Sequence, residues 1–93
     1  MQLQITIKIT GRVQGVFFRQ STKDQADALG ITGWVKNELD GSVVACIEGE
    51  QPQLDTLLAW AQHGPANAKV AAVQVISQKH CTNPCETFTI LYD

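Results

Sequence analysis

Within its first thirty residues this chain switches from one hydrophobic period to another, and that switch limits the folds open to it. Leu3, Ile5, Ile7 and Ile9 alternate with Gln4, Thr6, Lys8 and Thr10, the pattern of a strand with one buried face. Phe18, Thr22, Ala26 and Leu29 then recur at the spacing of one helix face. Between the two patterns lies Gly11-Arg12-Val13-Gln14-Gly15-Val16-Phe17-Phe18-Arg19, which reads as a tight strand-to-helix loop. Gly15 lets the backbone turn where a side chain would clash. The spacing predicts a first strand from Gln2 to Thr10 and a first helix from Ser21 to Leu29, closed by Gly30 at its C-cap.

The remaining punctuation gives the rest of the order. Ile31 to Glu38 is the second strand, and Asp40-Gly41 tolerates the positive φ of a hairpin turn. Val43 to Ile47 is almost continuously apolar, as a central strand covered on both faces should be. Pro52 suits the first turn of a second helix, whose stripe is Leu54, Leu57, Leu58 and Ala61 and whose stop is Gly64-Pro65. Lys69 to Ser77 is a valine-rich fourth strand, Gln78 to Glu86 a polar loop, and Thr87 to Tyr92 a short last strand. This order predicts an α+β fold, a ferredoxin-like α/β sandwich of β-α-β-β-α-β plus a short C-terminal strand. Its antiparallel sheet carries two helices on one face, with strands one and three in the middle. Residues 1–93 are expected to form one domain.

Composition removes several function classes. The net charge is −2, whereas a general nucleic-acid binder carries a basic excess. Positive potential must be local, around Arg12 and Arg19, with Lys23 and Lys36 as further candidates. The first and third strands carry no aromatic side chains on which RNA bases could stack. No apolar run reaches membrane-spanning length, and the N-terminal alternation is a strand rather than a secretory segment, so a cytoplasmic protein is expected. Three cysteines without a secretion signal argue against a disulfide framework. Cys46 reads as a small core residue. Cys81 and Cys85 flank Thr82-Asn83-Pro84 and read most simply as two loop thiols; pairing with each other, or metal binding with His80, are the alternatives.

One kind of guest suits the loop before the first helix. The first amides of a helix have no intrahelical acceptor, and the dipole is positive there. Free amides, dipole and the Arg19 guanidinium together point to a phosphate-like anion. Arg19 is otherwise ill-placed, because a cation at a helix start opposes the dipole. The loop lacks the Gly-Lys-Ser/Thr ending of a nucleotide P-loop and the Gly-x-Gly-x-x-Gly of dinucleotide folds. Asn37 closes the second strand just before the turn; a strand-end asparagine bonding its own backbone is the plainer alternative. His63 suits the end of the second helix and His80 the polar loop. Trp60 reads as core, and Trp34 stays open between core and ligand.

Gly11 to Arg19 resembles the acylphosphatase signature Gly-x-Val-Gln-Gly-Val-x-Phe-Arg at every fixed position. Gly33-Trp34-Val35-Lys36-Asn37 with Asp40-Gly41-Ser42-Val43 is similar to that family's second motif, and Gly64-Pro65 with Ala68-Lys69-Val70 to its segment after the second helix. The resemblance covers the whole chain, departing from the family pattern mainly in the loop of Cys81 and Cys85. It implies hydrolysis of the carboxyl–phosphate bond of acyl phosphates to a carboxylate and inorganic phosphate, with no metal and no organic cofactor. By position, Arg19 binds the phosphate, Asn37 holds the attacking water, and the amides of Gly15, Val16, Phe17, Phe18 and Arg19 form the cradle. The implied partners are a small-molecule acyl phosphate and phosphate, with no nucleic acid, no membrane and a monomeric protein. The alternative is a non-catalytic anion-binding module on the same fold.

Overall fold

The computed structural model describes residues 2–92, so Met1 and Asp93 of the expected unit lie outside them. The elements follow in the expected order: β1 (Leu3–Arg12), α1 (Phe18–Leu29), β2 (Thr32–Asn37), β3 (Val43–Gly49), α2 (Gln51–Ala61), β4 (Lys69–His80) and β5 (Phe88–Leu91). Several ends move. β1 runs past Thr10 because Gly11 and Arg12 still pair with Val70 and Lys69 of β4. β4 runs past Ser77 because Gln78, Lys79 and His80 keep pairing with Ile5, Gln4 and Leu3. α1 starts at Phe18 rather than Ser21. Its N-cap, Phe17, sits in the left-handed region at φ 64 and ψ 26, which ends the loop abruptly. Phe18 then drives into the core, so Phe18 and Arg19 belong to the first helical turn.

The strands stand in the order β4-β1-β3-β2-β5, which places β1 and β3 inside the sheet as expected. The sheet is mixed rather than antiparallel throughout, because β5 pairs with β2 in parallel. The cause is where β4 ends. His80 lies opposite Leu3, Leu3 opposite Gly49, and Thr32 opposite Glu48, so β4 finishes at the end of the sheet where β2 begins. Chain leaving there and crossing beneath the sheet can only rise beside β2 in the same direction.

Both helices cover one face. Ile5, Ile7 and Ile9 of β1, Val43, Ala45 and Ile47 of β3 and Val35 of β2 pack against Phe18, Ala26, Leu54, Leu57 and Ala61. Leu29 and Leu58, expected in the core, are only partly buried at its edge. Phe18 meets Trp60 with ring centroids 5.4 Å apart, which makes Trp60 a core residue. Burying a side chain of this size contributes about 1.5–3 kcal/mol. Gly33 is required in β2: its φ is 132, and a Cβ there would strike the Cys46 carbonyl of β3.

The crossing from β4 to β5 is anchored by a buried acid. Glu48 is 1% exposed on the face opposite the helices. It accepts hydrogen bonds from Gln4 Nε2 at 2.8 Å, Thr32 Oγ1 at 3.2 Å and the Cys85 amide at 2.7 Å. The Cys81 thiol approaches it at 3.4 Å. Burial alone would push this carboxyl up, but the bonds from Cys85, Gln4 and the loop thiols outweigh burial and hold it low. The same burial and the carboxylate's charge push both loop thiols up, so they stay protonated and poorly nucleophilic. Cys46, Cys81 and Cys85 are all free thiols. Cys46 is buried, as expected of a small core residue, and lies between Thr6 and Trp34 of the neighbouring strands. Gly33 donates to the Thr87 carbonyl at 3.1 Å, which completes the dock of the crossing and aims β5 at the far end of β2.

Candidate active site

At that far end, three separate stretches of chain meet around one pocket. Val13, Gly15, Phe17, Phe18, Arg19 and Gln20 come from the loop and the start of α1, Asn37 from the end of β2, and Ile90 and Tyr92 from β5 and just beyond. Its volume is about 440 Å³. The sheet register explains the meeting. Val35 pairs with Ile90, so the next residues on that face, Asn37 and Tyr92, emerge side by side over the N-terminus of α1.

The loop holds its shape through residues that sequence reasoning assigned no task. Gln14 Nε2 donates to the carbonyls of Glu38 at 2.7 Å and Ser42 at 2.9 Å. This clamps the loop onto the β2–β3 turn right beside Asn37. The turn is set in its own right: Asp40 Oδ1 accepts from the Ser42 amide at 2.9 Å and from its hydroxyl at 2.6 Å, while Lys8 pairs with Asp40 at 2.7 Å. These bonds hold the Asp40 carboxyl well below the usual carboxylate range. Gly15 sits at φ 75, and a Cβ there would meet nothing within 4 Å. The need for glycine is therefore the left-handed backbone, not the steric clash expected from the sequence.

The expected site residues fall as follows. Gly15, Phe17, Phe18 and Arg19 line the pocket, while Val16, 6% exposed, turns its side chain into the core between them. Among the described residues, no side chain caps the start of α1 and its first turn holds no acid. Among the described residues, no backbone carbonyl takes the amides of Gly15, Val16 or Phe17, and those of Phe18 and Arg19 stand in the first turn. Arg19 belongs to none of the ion pairs among the described residues; its guanidinium lies 4.7 Å from the centroid of the Tyr92 ring. Asn37 Oδ1 is buried with no hydrogen-bond partner among the described residues. The self-bonded strand-end asparagine is therefore not what is found.

Other candidates lie elsewhere. Arg12 pairs with Lys69 at the sheet edge, and Lys23 is taken by Asp27 and the Phe88 carbonyl. Lys36 is drawn to Glu38 at 3.7 Å and to the Trp34 ring. Of the four cations considered, Arg19 alone lines the pocket. Trp34, Trp60, His63 and His80 do not line it. Among the described residues, no group of three or more histidine, cysteine, aspartate or glutamate side chains could hold a metal ion. Tyr92 and Ile90 were missed as site residues because only the parallel pairing of β5 brings them there; nothing local in Thr87 to Tyr92 signals it.

This arrangement can bind a tetrahedral oxyanion on amides and guanidinium while the Asn37 side chain lines the same space. Among the described residues its lining offers no carboxylate, imidazole, amine or thiol to move a proton near neutral pH.

Comparison with known proteins gives the same direction over nearly the full length. A family model described as Acylphosphatase matches residues 5–90. A Geobacter sulfurreducens protein named acylphosphatase is 41% identical over 92 residues, covering 99% of this chain and 100% of the relative. One from Pseudomonas paraeruginosa is 52% identical over 67 residues, covering 72% of this chain and 74% of the relative. The crystal structure of acylphosphatase from Bacillus subtilis superposes with a TM-score of 0.92 at 34% identity, covering 97% of this chain and 99% of that one.

Proposed function

The chain belongs to the acylphosphatase family and is an enzyme of that class, and from that premise we propose how its pocket hydrolyses acyl phosphates. The phosphoryl group rests on the amides of Gly15 to Arg19 and on the Arg19 guanidinium. Water held by the Asn37 side-chain carbonyl attacks phosphorus in line with the bridging oxygen. The P–O bond to the acyl group breaks, the carboxylate leaves with the bond electrons, and the water's proton goes to the phosphate or to solvent.

The chemistry suits these groups. Phosphoryl transfer passes through a loose transition state with charge spread over the equatorial oxygens. Fixed amides and a planar guanidinium meet that charge from several directions without reorganising. The leaving carboxylate is the conjugate base of an acid with pKa near ~4, so it departs without a general acid. Asparagine cannot take a proton at neutral pH, but its carbonyl can orient water. The terminal torsion of asparagine is broad, so a modest rotation turns Oδ1 into the pocket.

The observation that carries the reading is the Asn37 Oδ1, buried with no hydrogen-bond partner among the described residues, on a side chain that lines the same pocket as an arginine in none of the ion pairs among those residues. A buried acceptor left unpaired costs about 1–3 kcal/mol, a cost that persists at sites kept for function. We further propose that it works as a cytoplasmic monomer on free acyl phosphates; among the described residues no helix is long and apolar enough to cross a membrane.

Benzoyl phosphate with excess chelator tests this. Hydrolysis should proceed undiminished, and its single-turnover rate should be nearly flat from about pH 5 to 8, because the described lining supplies no carboxylate, imidazole, amine or thiol as acid or base. Phosphate binding without any turnover would leave only the non-catalytic module, and a bell-shaped profile would reveal an acid or base that this mechanism lacks.

A further inference from the structure

The proposed mechanism uses only half of the pocket. A phosphoryl group against Gly15 to Arg19 leaves an apolar half made by Val13, Phe18, Ile90 and the rings of Phe17 and Tyr92. The whole pocket, about 440 Å³, is the size of a small organic ligand's site rather than that of phosphate alone. We propose that Phe17 and Tyr92 form the acyl-group subsite and select flat, apolar acyl phosphates of the aroyl type over acetyl phosphate; this rests on the acylphosphatase reading above.

Both rings are held outward. Phe17 is 80% exposed and Tyr92 is 74% exposed, so neither side chain is serving the core. Large apolar side chains this exposed, placed together on the rim of one pocket, mark a contact surface. Phe17 is also the one non-glycine residue among those described with a positive φ. A bulky residue rarely takes that conformation, and here it leaves the ring clear of the core. In the signature of the loop this position is one of the two that vary, so the ring is a property of this chain and not of the cradle.

Tyr92 lines the same pocket. Its ring already lies against the Arg19 guanidinium at 4.7 Å, which places an aromatic surface directly beside the anion site. A flat acyl group leaving the phosphoryl group would lie among these rings. Among the described residues Arg19 is the only charged side chain in the lining, and the mechanism commits it to the phosphoryl oxygens. An acyl group carrying a second anion would therefore find no cation, so the subsite discriminates against it as well.

The test compares benzoyl phosphate with acetyl phosphate in the wild type, Phe17→Gly and Tyr92→Ala. Glycine keeps the amide and accepts the positive φ. The ratio of the two kcat/KM values should fall about tenfold in each variant, whatever the absolute rates do. A ratio unchanged in both variants, or two substrates losing rate in parallel, would overturn the subsite and leave the rings as supports for Arg19. Binding of phenacylphosphonate against acetonylphosphonate, which carry CH2 in place of the bridging oxygen, reads the same preference without turnover. The wild type should bind the aromatic compound about tenfold more tightly, and the variants should close the gap. Equal binding in the wild type overturns the subsite. Selective phosphonate binding by a protein that hydrolyses neither substrate would instead retain the subsite and remove the proposed reaction.

Discussion

Arg19→Lys should lower kcat/KM for benzoyl phosphate by at least about 10²–10³-fold, equivalent to ~3–4 kcal/mol of transition-state stabilisation, while the protein stays folded. The charge survives this change, but the planar fork does not. An ammonium is a point donor that cannot span two phosphoryl oxygens, and it stacks less well on the Tyr92 ring. Stability gives an independent check. A cation in the first turn of α1 opposes the helix dipole by about 0.3–1 kcal/mol, and its contact with Tyr92 returns about 0.5–1 kcal/mol. The two nearly cancel, so Arg19→Ala should lose activity with its melting temperature moved by less than about 5 °C. An arginine kept for structure would behave in the opposite way, with activity largely intact and the fold weakened.

Asn37→Ala is expected to lower kcat by about 10²–10³-fold with KM little changed, because an oriented water matters at the transition state and not for holding the ground-state phosphate. The variant should melt no lower than the wild type. It removes a buried acceptor that has no partner among the described residues, and such an atom costs about 1–3 kcal/mol as it stands. Steady-state kinetics and a thermal melt on the same preparation check both halves. A raised KM at unchanged kcat would move Asn37 from the water to the phosphate.

Element order, the two central strands and the helix-covered face were legible because each rests on a local pattern. Alternation at Leu3 to Ile9 and the stripe at Leu54, Leu57 and Ala61 need no knowledge of distant chain. α1 starts at Phe18 and not at Ser21 because the break in the chain is the left-handed backbone of Phe17. No residue type announces a positive φ in a phenylalanine. The parallel pairing of β5 was invisible for a different reason. It follows from where β4 runs out and from the Glu48 anchor under the crossing, both of which depend on pairings far apart in sequence.

The site divides in the same way. Arg19 and Asn37 could be marked from the sequence because each sits at a terminus where its chemistry is odd or unspent. Gln14 was visible only as a fixed letter in a motif; its clamp on the Glu38 and Ser42 carbonyls needs the turn to be folded beside it. Tyr92 could not be found at all without the sheet order, yet it supplies the only ring against Arg19 among the described residues.

Isotope incorporation from water labelled with oxygen-18 tests the centre of the account most directly. During hydrolysis of benzoyl phosphate by the wild type, one labelled oxygen should appear in the inorganic phosphate and none in the benzoate. Label in the benzoate would mean that water attacks the acyl carbon, and that the guanidinium, the amides and Asn37 do not act on phosphorus as described.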